Sequence, residues 1–253
     1  MSMRESRAAL TVVRPAAGSG LGFFSWAREM GEAVRSAILP PRFPQDLPRG
    51  QGQTVLMIPG FLAGDWTMNR LREFLLGLDY RVVYAGVALN LGPTKRLIPQ
   101  LEHAVEKVFA DTGAPIIVIG QSLGGVFARG LAHRHPDKIA HVVTLCSPIH
   151  FPIATPLEGI ANLLAPLHDP AVLDLQNEIV RTPPVPVTAI YSKSDGIVDW
   201  RSCLQDEAES CVNVEVSGAH TTIGSNPDAQ RAIALALARS KPGSAAASAD
   251  AGD

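Results

Sequence analysis

The 253-residue chain is poor in several things that would have narrowed its chemistry. Charged residues make up 18% and the net charge is −2, with no Lys/Arg cluster. A nucleic-acid or anionic-membrane partner needs a basic stripe, and none exists. No run of eighteen apolar residues occurs, so the sequence predicts no membrane span. Met1-Ser-Met-Arg-Glu-Ser-Arg7 carries both signs of charge and leads into no apolar core segment. No secretory signal is recognised, and the expectation is a cytoplasmic protein. Three cysteines are too few for a disulfide framework. Cys203 and Cys211 flank the stretch between two candidate site residues, so a bridge between them stays open. Cys146 ends an apolar strand and reads as a buried small hydrophobe. No His/Cys/Asp set has metal-site spacing, and no glycine-rich loop suits a phosphate or dinucleotide. The expectation is therefore neither metal nor cofactor. There is no internal repeat.

What is present is an alternation. Val/Ile-rich segments at 54–58, 81–84, 116–119, 141–145, 187–191 and 212–216 read as strands. Helical spacing of apolar residues appears at 68–78, 94–110, 122–133 and 226–239. Alternating strand and helix with apolar strands predicts a parallel sheet of about six strands, covered on both faces. Residues 51–240 form the expected domain. Before it lies an extension, 1–50, irregular over its first twenty residues. Its apolar helix at 22–39 packs on the sheet edge or the cap, or acts as an arm for lipid or a partner, and a Pro-rich linker follows. After the domain comes an Ala/Ser/Gly-rich tail, 241–253, expected to be disordered. Residues 148–186 break the rhythm with many prolines, helical fragments near 157–164 and 172–180, and no clear strand. They predict a small helical cap. Phe151, Ile153, Leu157, Ile160, Leu163, Leu164 and Leu167 are its candidates for an acyl pocket.

The most specific feature is Gly120-Gln-Ser-Leu-Gly124, set between the strand Pro115-Ile-Ile-Val-Ile119 and the helix that opens Gly125-Val-Phe-Ala. Strand, Gly-x-Ser-x-Gly, helix is the order of a nucleophile elbow, which lifts one serine hydroxyl above a parallel sheet. Gly120 and Gly124 stand where a Cβ would meet the strand or the helix. Ser122 lies at a helix N-terminus, which favours developing negative charge. An acid and a base follow in order, each about four residues past a strand: Asp195 after Val187–Tyr191 and His220 after Val212–Val216. Both fall at the C-terminal edge of the sheet, where open α/β folds keep their sites. Asp199 is the alternative acid, and its alternative role is capping the helix that begins near Trp200. The remaining histidines, His103, His133, His135, His141, His150 and His168, read as solvated or capping. His150 and His168 lie in the cap, within reach of a substrate. Asn90, before the Leu91-Gly92-Pro93 turn, is either a turn residue or part of the pocket wall.

With Pro59-Gly-Phe-Leu62, Tyr191-Ser-Lys-Ser-Asp-Gly-Ile-Val198 and Gly218-Ala-His220, these motifs resemble the alpha/beta-hydrolase superfamily, in particular bacterial lipases and esterases, from about Gln53 to about Arg239. The resemblance implies an alpha/beta-hydrolase fold and a serine hydrolase. It would cleave carboxylic esters, of small molecules or lipids, through an acyl-enzyme. Ser122 would be nucleophile, His220 base and Asp195 its partner. The backbone N–H groups of Phe61 and Leu123 would hold the oxyanion, with Leu62 bordering the pocket. Many relatives have His-Gly where this chain has Pro59-Gly60. A backbone donor survives that change, and Gly60 lets Phe61 turn toward the site. A thioesterase, amidase, acyltransferase or polyester hydrolase would use the same triad, as would perhydrolysis. A non-catalytic binding protein on the same scaffold stays as the reading from another class.

Overall fold

Which face of the sheet a side chain meets is settled by its parity along each central strand. The computed structural model describes residues 12–15, 21, 23–40, 42–169, 178–206 and 208–240. In chain order its elements are β1 (Val12–Val13), α1 (Phe23–Ile38), β2 (Thr54–Ile58), α2 (Asn69–Gly77), β3 (Arg81–Tyr84), α3 (Leu97–Thr112), β4 (Ile116–Gln121), α4 (Leu123–Arg134), β5 (Ile139–Leu145), β6 (Ile153–Ala154), α5 (Glu158–Leu164), β7 (Val187–Tyr191), β8 (Cys211–Glu215) and α6 (Pro227–Arg239). Six strands form one parallel sheet in the order β3-β2-β4-β5-β7-β8. Leu56 and Ile58 of β2 and Ile116 and Val118 of β4 face Leu101 and Val105 of α3 and Val126 and Phe127 of α4. Val55, Met57, Ile117 and Ile119 point the other way, toward Leu71, Phe74 and Leu75 of α2 and Ile233 and Leu237 of α6. Every residue of β2 is buried, whereas the edge strand β8 is half-exposed along its length. Full burial of each such aliphatic side chain contributes roughly 1.5–3 kcal/mol, so the central strands hold the sheet together.

Helix ends follow local chemistry. The Asn226 side chain accepts from the Asp228 and Ala229 amides at 2.8 and 3.2 Å, and Pro227 occupies the first turn of α6. Gly113, at φ 65°, closes α3 in the left-handed conformation and donates its amide to Phe109 O.

The chain turns back on itself between β2 and β4. From β2 it runs outward to β3, then returns to β4 and proceeds to the opposite edge. The crevice outside the strand ends at such a reversal is the usual ligand site of an open α/β sheet. Pro59-Gly60-Phe61 leaves β2 there and Ser122 leaves β4 there.

Two expectations need correction. The first twenty residues are not all irregular, because β1 pairs in parallel with β6 of the excursion, Val12 with Ile153 and Val13 with Ala154. The excursion therefore does hold a strand. Two-residue strands are too short to show a period, and their partners lie far off in the chain. The excursion otherwise carries α5 as expected. The expected fragment at 172–180 falls largely outside the described residues, as does the tail at 241–253. Among the described residues, no helix is long and apolar enough to cross a membrane.

Candidate active site

The turn after β4 is as tight as its glycines suggest. A Cβ on Gly120 would sit 2.3 Å from the Gly124 backbone, and one on Gly124 would sit 2.2 Å from Ile58 O. Neither neighbour is a flexible side chain. Ser122 takes φ 52° and ψ −124°, a conformation L-residues rarely adopt. Its amide is held by Leu145 O at 2.8 Å, and its carbonyl accepts from Gly125 N to start α4. The strained turn leaves Ser122 half-exposed at the helix N-terminus. The Gly60 backbone passes directly over it: a Cβ there would lie 3.1 Å from Ser122 Cβ.

Asp195 and His220 come together behind the cleft. His220 Nδ1 donates to Asp195 Oδ2 at 2.6 Å, and both residues are buried. The other carboxylate oxygen, Oδ1, accepts the Ile197 and Val198 amides at 2.7 and 2.9 Å. Every strong acceptor site of Asp195 is thereby aimed. Burial alone would lower the His220 pKa. The charge and hydrogen bond of Asp195, with a smaller contribution from Glu29, outweigh burial and raise it above the ordinary value. Asp199 is not part of this pair. It caps the 3-10 turn Trp200–Cys203, accepting from Arg201 N at 3.0 Å.

Ser122 and His220 line one cavity of about 730 Å³, together with Gly60, Phe61 and Leu62. No hydrogen bond joins Ser122 Oγ to the imidazole among the described residues. Such bonds are often long before a substrate tightens the site. A second, narrower cavity of about 70 Å³ opens on the other side of Ser122, lined by Leu123, Ile153, Leu157, Ala161 and Val198. Of the cap residues expected in a pocket, Ile153 and Leu157 lie there, while Ile160, Leu163 and Leu167 are exposed on the outer surface. Among the described residues the Phe61 and Leu123 amides donate to no acceptor, whereas Leu62 N is held by Asn90 O at 2.7 Å.

Asn90 is a buried brace rather than a wall. Its Nδ2 donates to Pro59 O at 2.9 Å and its Oδ1 accepts Gly92 N at 3.0 Å, so it fixes the loop from Pro59 to Ala63. Gln121 Nε2 donates to His220 O at 2.9 Å and ties the elbow to the histidine loop. Two histidines depart from the solvated reading. His141 is buried between Thr188 and Ser240, and burial lowers its pKa to about 4. His168 is buried beside the narrow cavity and donates toward Leu91 O.

Cys146, Asp195 and His220 place one ligand atom each within 4.8 Å of one another. The imidazole and carboxylate are already hydrogen-bonded to each other, however. The Cys146 thiol is fully buried and pushed well up by that burial and by the Asp195 charge, which keeps it protonated. It is neither a ready metal ligand nor a nucleophile. All three cysteines are free thiols, so no bridge joins Cys203 to Cys211. The N-terminal extension reaches the site, which local sequence signals did not reveal. Trp26, Met30 and Ala33 of α1 line the large cavity, and Val12 lines the small one.

A family model described as alpha/beta hydrolase fold matches residues 112–171, which span the elbow. No curated protein matches the chain. Solved structures similar to it include a lipase-esterase related protein from Clostridium acetobutylicum, at 16% identity over 78% of this chain and 98% of that one, with a TM-score of 0.54. A putative lipase from Acinetobacter baumannii shares 15% over 85% and 94%, with a TM-score of 0.50. An extracellular alpha/beta-hydrolase from a Paenibacillus species shares 17% over 74% and 98%, also at 0.50. With its sheet reversing between β2 and β4 and its serine raised on the turn that follows β4, the chain is a protein of the alpha/beta-hydrolase fold.

Proposed function

We propose that this protein is a serine hydrolase that cleaves carboxylic esters through an acyl-enzyme. The observation that carries the reading is the strained, half-exposed Ser122 sharing its cavity with a His220 ring whose Nδ1 is bound to the buried Asp195. Ser122 Oγ attacks the ester carbonyl while His220 Nε2 takes its proton. The same proton then passes to the departing alcohol. Water, activated by His220, releases the acid and restores the serine. Asp195 holds the Nδ1–H tautomer and stabilises the imidazolium. The Phe61 and Leu123 amides supply the oxyanion donors, each typically contributing about 10²–10³ in rate. The narrow apolar cavity takes a short apolar acyl group, and the wide one takes the alcohol portion. Ester chemistry is also what the names of two similar structures state.

The test is hydrolysis of p-nitrophenyl acetate, butyrate, octanoate and palmitate by the wild type and by Ser122→Ala. Expected are activity highest on the short esters, a loss of several orders of magnitude in Ser122→Ala, and labelling of wild-type Ser122 by a fluorophosphonate. A wild type that neither turns over an ester nor takes the label would overturn the reading.

A further inference from the structure

Glu29 is a fully buried carboxylate on α1, far from its partners in sequence. Its Oε1 accepts two backbone amides, Gly196 N at 2.8 Å and His220 N at 2.8 Å. Its Oε2 accepts Thr221 N at 2.9 Å and Thr221 Oγ1 at 3.0 Å. Arg28, the residue before it, donates to Ser194 O. The helix thus holds residues on both sides of Asp195 and the histidine itself. Gly196 makes this approach feasible, since a Cβ there would come within 2.8 Å of Ser25 O and 2.9 Å of Glu29 Cγ.

We infer that Glu29 is a positioning residue for the catalytic pair, so that the N-terminal helix is part of the catalytic apparatus. The acid and base loops leave different strands, β7 and β8, and besides Glu29 they are joined by Ser192 Oγ donating to Gly218 O at 2.7 Å, while Gln121 holds His220 O. A single oxygen, Glu29 Oε1, accepts the amide next to Asp195 and the amide of His220. It therefore helps set the separation of the two backbones at the residues from which the 2.6 Å Nδ1–Oδ2 bond is made. A buried anion is costly unless its lone pairs are used, and here four donors use them. A surface anchor for the helix would not need that arrangement. Glu29 acts on the charge of the imidazole as well as its place, being one of the groups that raise the His220 pKa. The ionisable groups around that ring are Asp195 from the loop after β7, Glu29 from α1, and the protonated Cys146 thiol after β5.

This inference rests on the Ser122–His220–Asp195 reading, and its test separates the two. The full-length wild type, Glu29→Gln, Glu29→Ala and Thr221→Val are compared by p-nitrophenyl butyrate kinetics against pH. The His220 ring is titrated by NMR, its signal assigned by its loss in His220→Asn. Glu29→Gln is isosteric but turns an amide donor toward the Thr221 N–H and removes the charge. Expected are a kcat lower by about 10- to 100-fold, a KM within about twofold, and movement of both the acidic limb and the ring titration to lower pH, with Glu29→Ala further in the same direction. Thr221→Val keeps the charge and the fold, so it should lower kcat several-fold and leave the ring titration in place. If the Glu29 variants only melt earlier, with wild-type kcat and ring titration, the inference is overturned. It is likewise overturned if they fail to fold and Thr221→Val has wild-type kcat. Should the wild type show no esterase activity, the ring titration of Glu29→Gln decides alone: a fall supports the inference and no movement refutes it.

Discussion

Replacing Asp195 by asparagine separates the part this carboxylate plays in the fold from the part it plays in the chemistry. Oδ1 faces two backbone N–H donors, Ile197 and Val198, while Oδ2 faces His220 Nδ1. The asparagine amide has two ways to sit. With its nitrogen toward the backbone it would set donors against two buried N–H groups, each left unpaired at a cost of about 1–3 kcal/mol. With its oxygen there both bonds survive, and the –NH₂ points at His220. The second arrangement wins by roughly 2–6 kcal/mol. The imidazole must then offer a lone pair at Nδ1 and carry its proton on Nε2, the atom that in the proposed reaction takes the proton of Ser122. The fold is kept and the base is in the wrong tautomer. Elsewhere this exchange lowers kcat by about 10⁴, which is about 5.4 kcal/mol of transition-state stabilisation. The assay is kcat/KM on p-nitrophenyl butyrate beside a thermal melt, with Asp199→Asn as its companion. Asp199 caps a 3-10 turn and pairs with the Arg201 side chain, away from His220, so that variant should stay within about threefold of wild type. An Asp195→Asn enzyme that melts like the wild type and keeps a tenth of its activity would refute the argument. A collapse in Asp199→Asn instead would exchange the two roles.

Asn90→Ala should cost both stability and rate: it unpairs the buried Pro59 carbonyl and Gly92 amide, about 2–6 kcal/mol in all, and frees the loop bearing the Phe61 amide. Urea unfolding and kcat read the two effects, and a variant with unchanged midpoint and kcat would contradict the bracing role. His141 bears on acid stability. Its folded pKa of about 4 lies below the ordinary 6.5, so between those values the unfolded chain binds the extra proton and stability falls as pH falls. The contribution is fully present above pH 6.5 and lost toward pH 4, up to about 3 kcal/mol. Urea midpoints at pH 7 and 4.5 should therefore separate more in the wild type than in His141→Gln, and equal separations would count against it.

The legible parts of the molecule were those written in consecutive residues. A strand, a Gly-x-Ser-x-Gly turn and a helix are one local statement, which is why Ser122 stands where its flanks imply. Asp195 and His220 were legible for the same reason, since position past a strand end is nearly position at the sheet edge. The strands Thr54–Ile58, Arg81–Tyr84 and Val187–Tyr191 have their expected bounds, while the other expected elements of the domain core shift by one to three residues at one or both ends. His141 is a different kind of miss. It lies on β5, between β4 and β7, and an inner strand of a sheet covered on both faces has no solvated side. The burial of His141 thus followed from the predicted architecture, although its residue type argued for solvent.

Glu29 had no such route. On a helix whose exposed face carries Val34, Arg35 and Ile38, a glutamate between Arg28 and Met30 reads as ordinary surface charge. Its burial depends on Gly196 and His220, 167 and 191 residues away, and on a glycine small enough to admit the helix backbone. Nothing within a helical turn of Glu29 encodes that meeting. The same holds for β1, whose two residues acquire meaning only from Ile153 and Ala154. Both features join the N-terminal extension to the region around Ser122: Val12 and Ile153 line the narrow cavity, and Trp26 and Met30 line the wide one. An extension that only wrapped the sheet edge would bury apolar surface there and leave the cleft alone. This one supplies walls to both cavities and a carboxylate to the acid and base loops, so removal of its β1 and α1 should alter the cleft before it unfolds the sheet, whose central strands are buried against α2, α3, α4 and α6, with Phe43 and Leu47 of the linker packed on the α2 side.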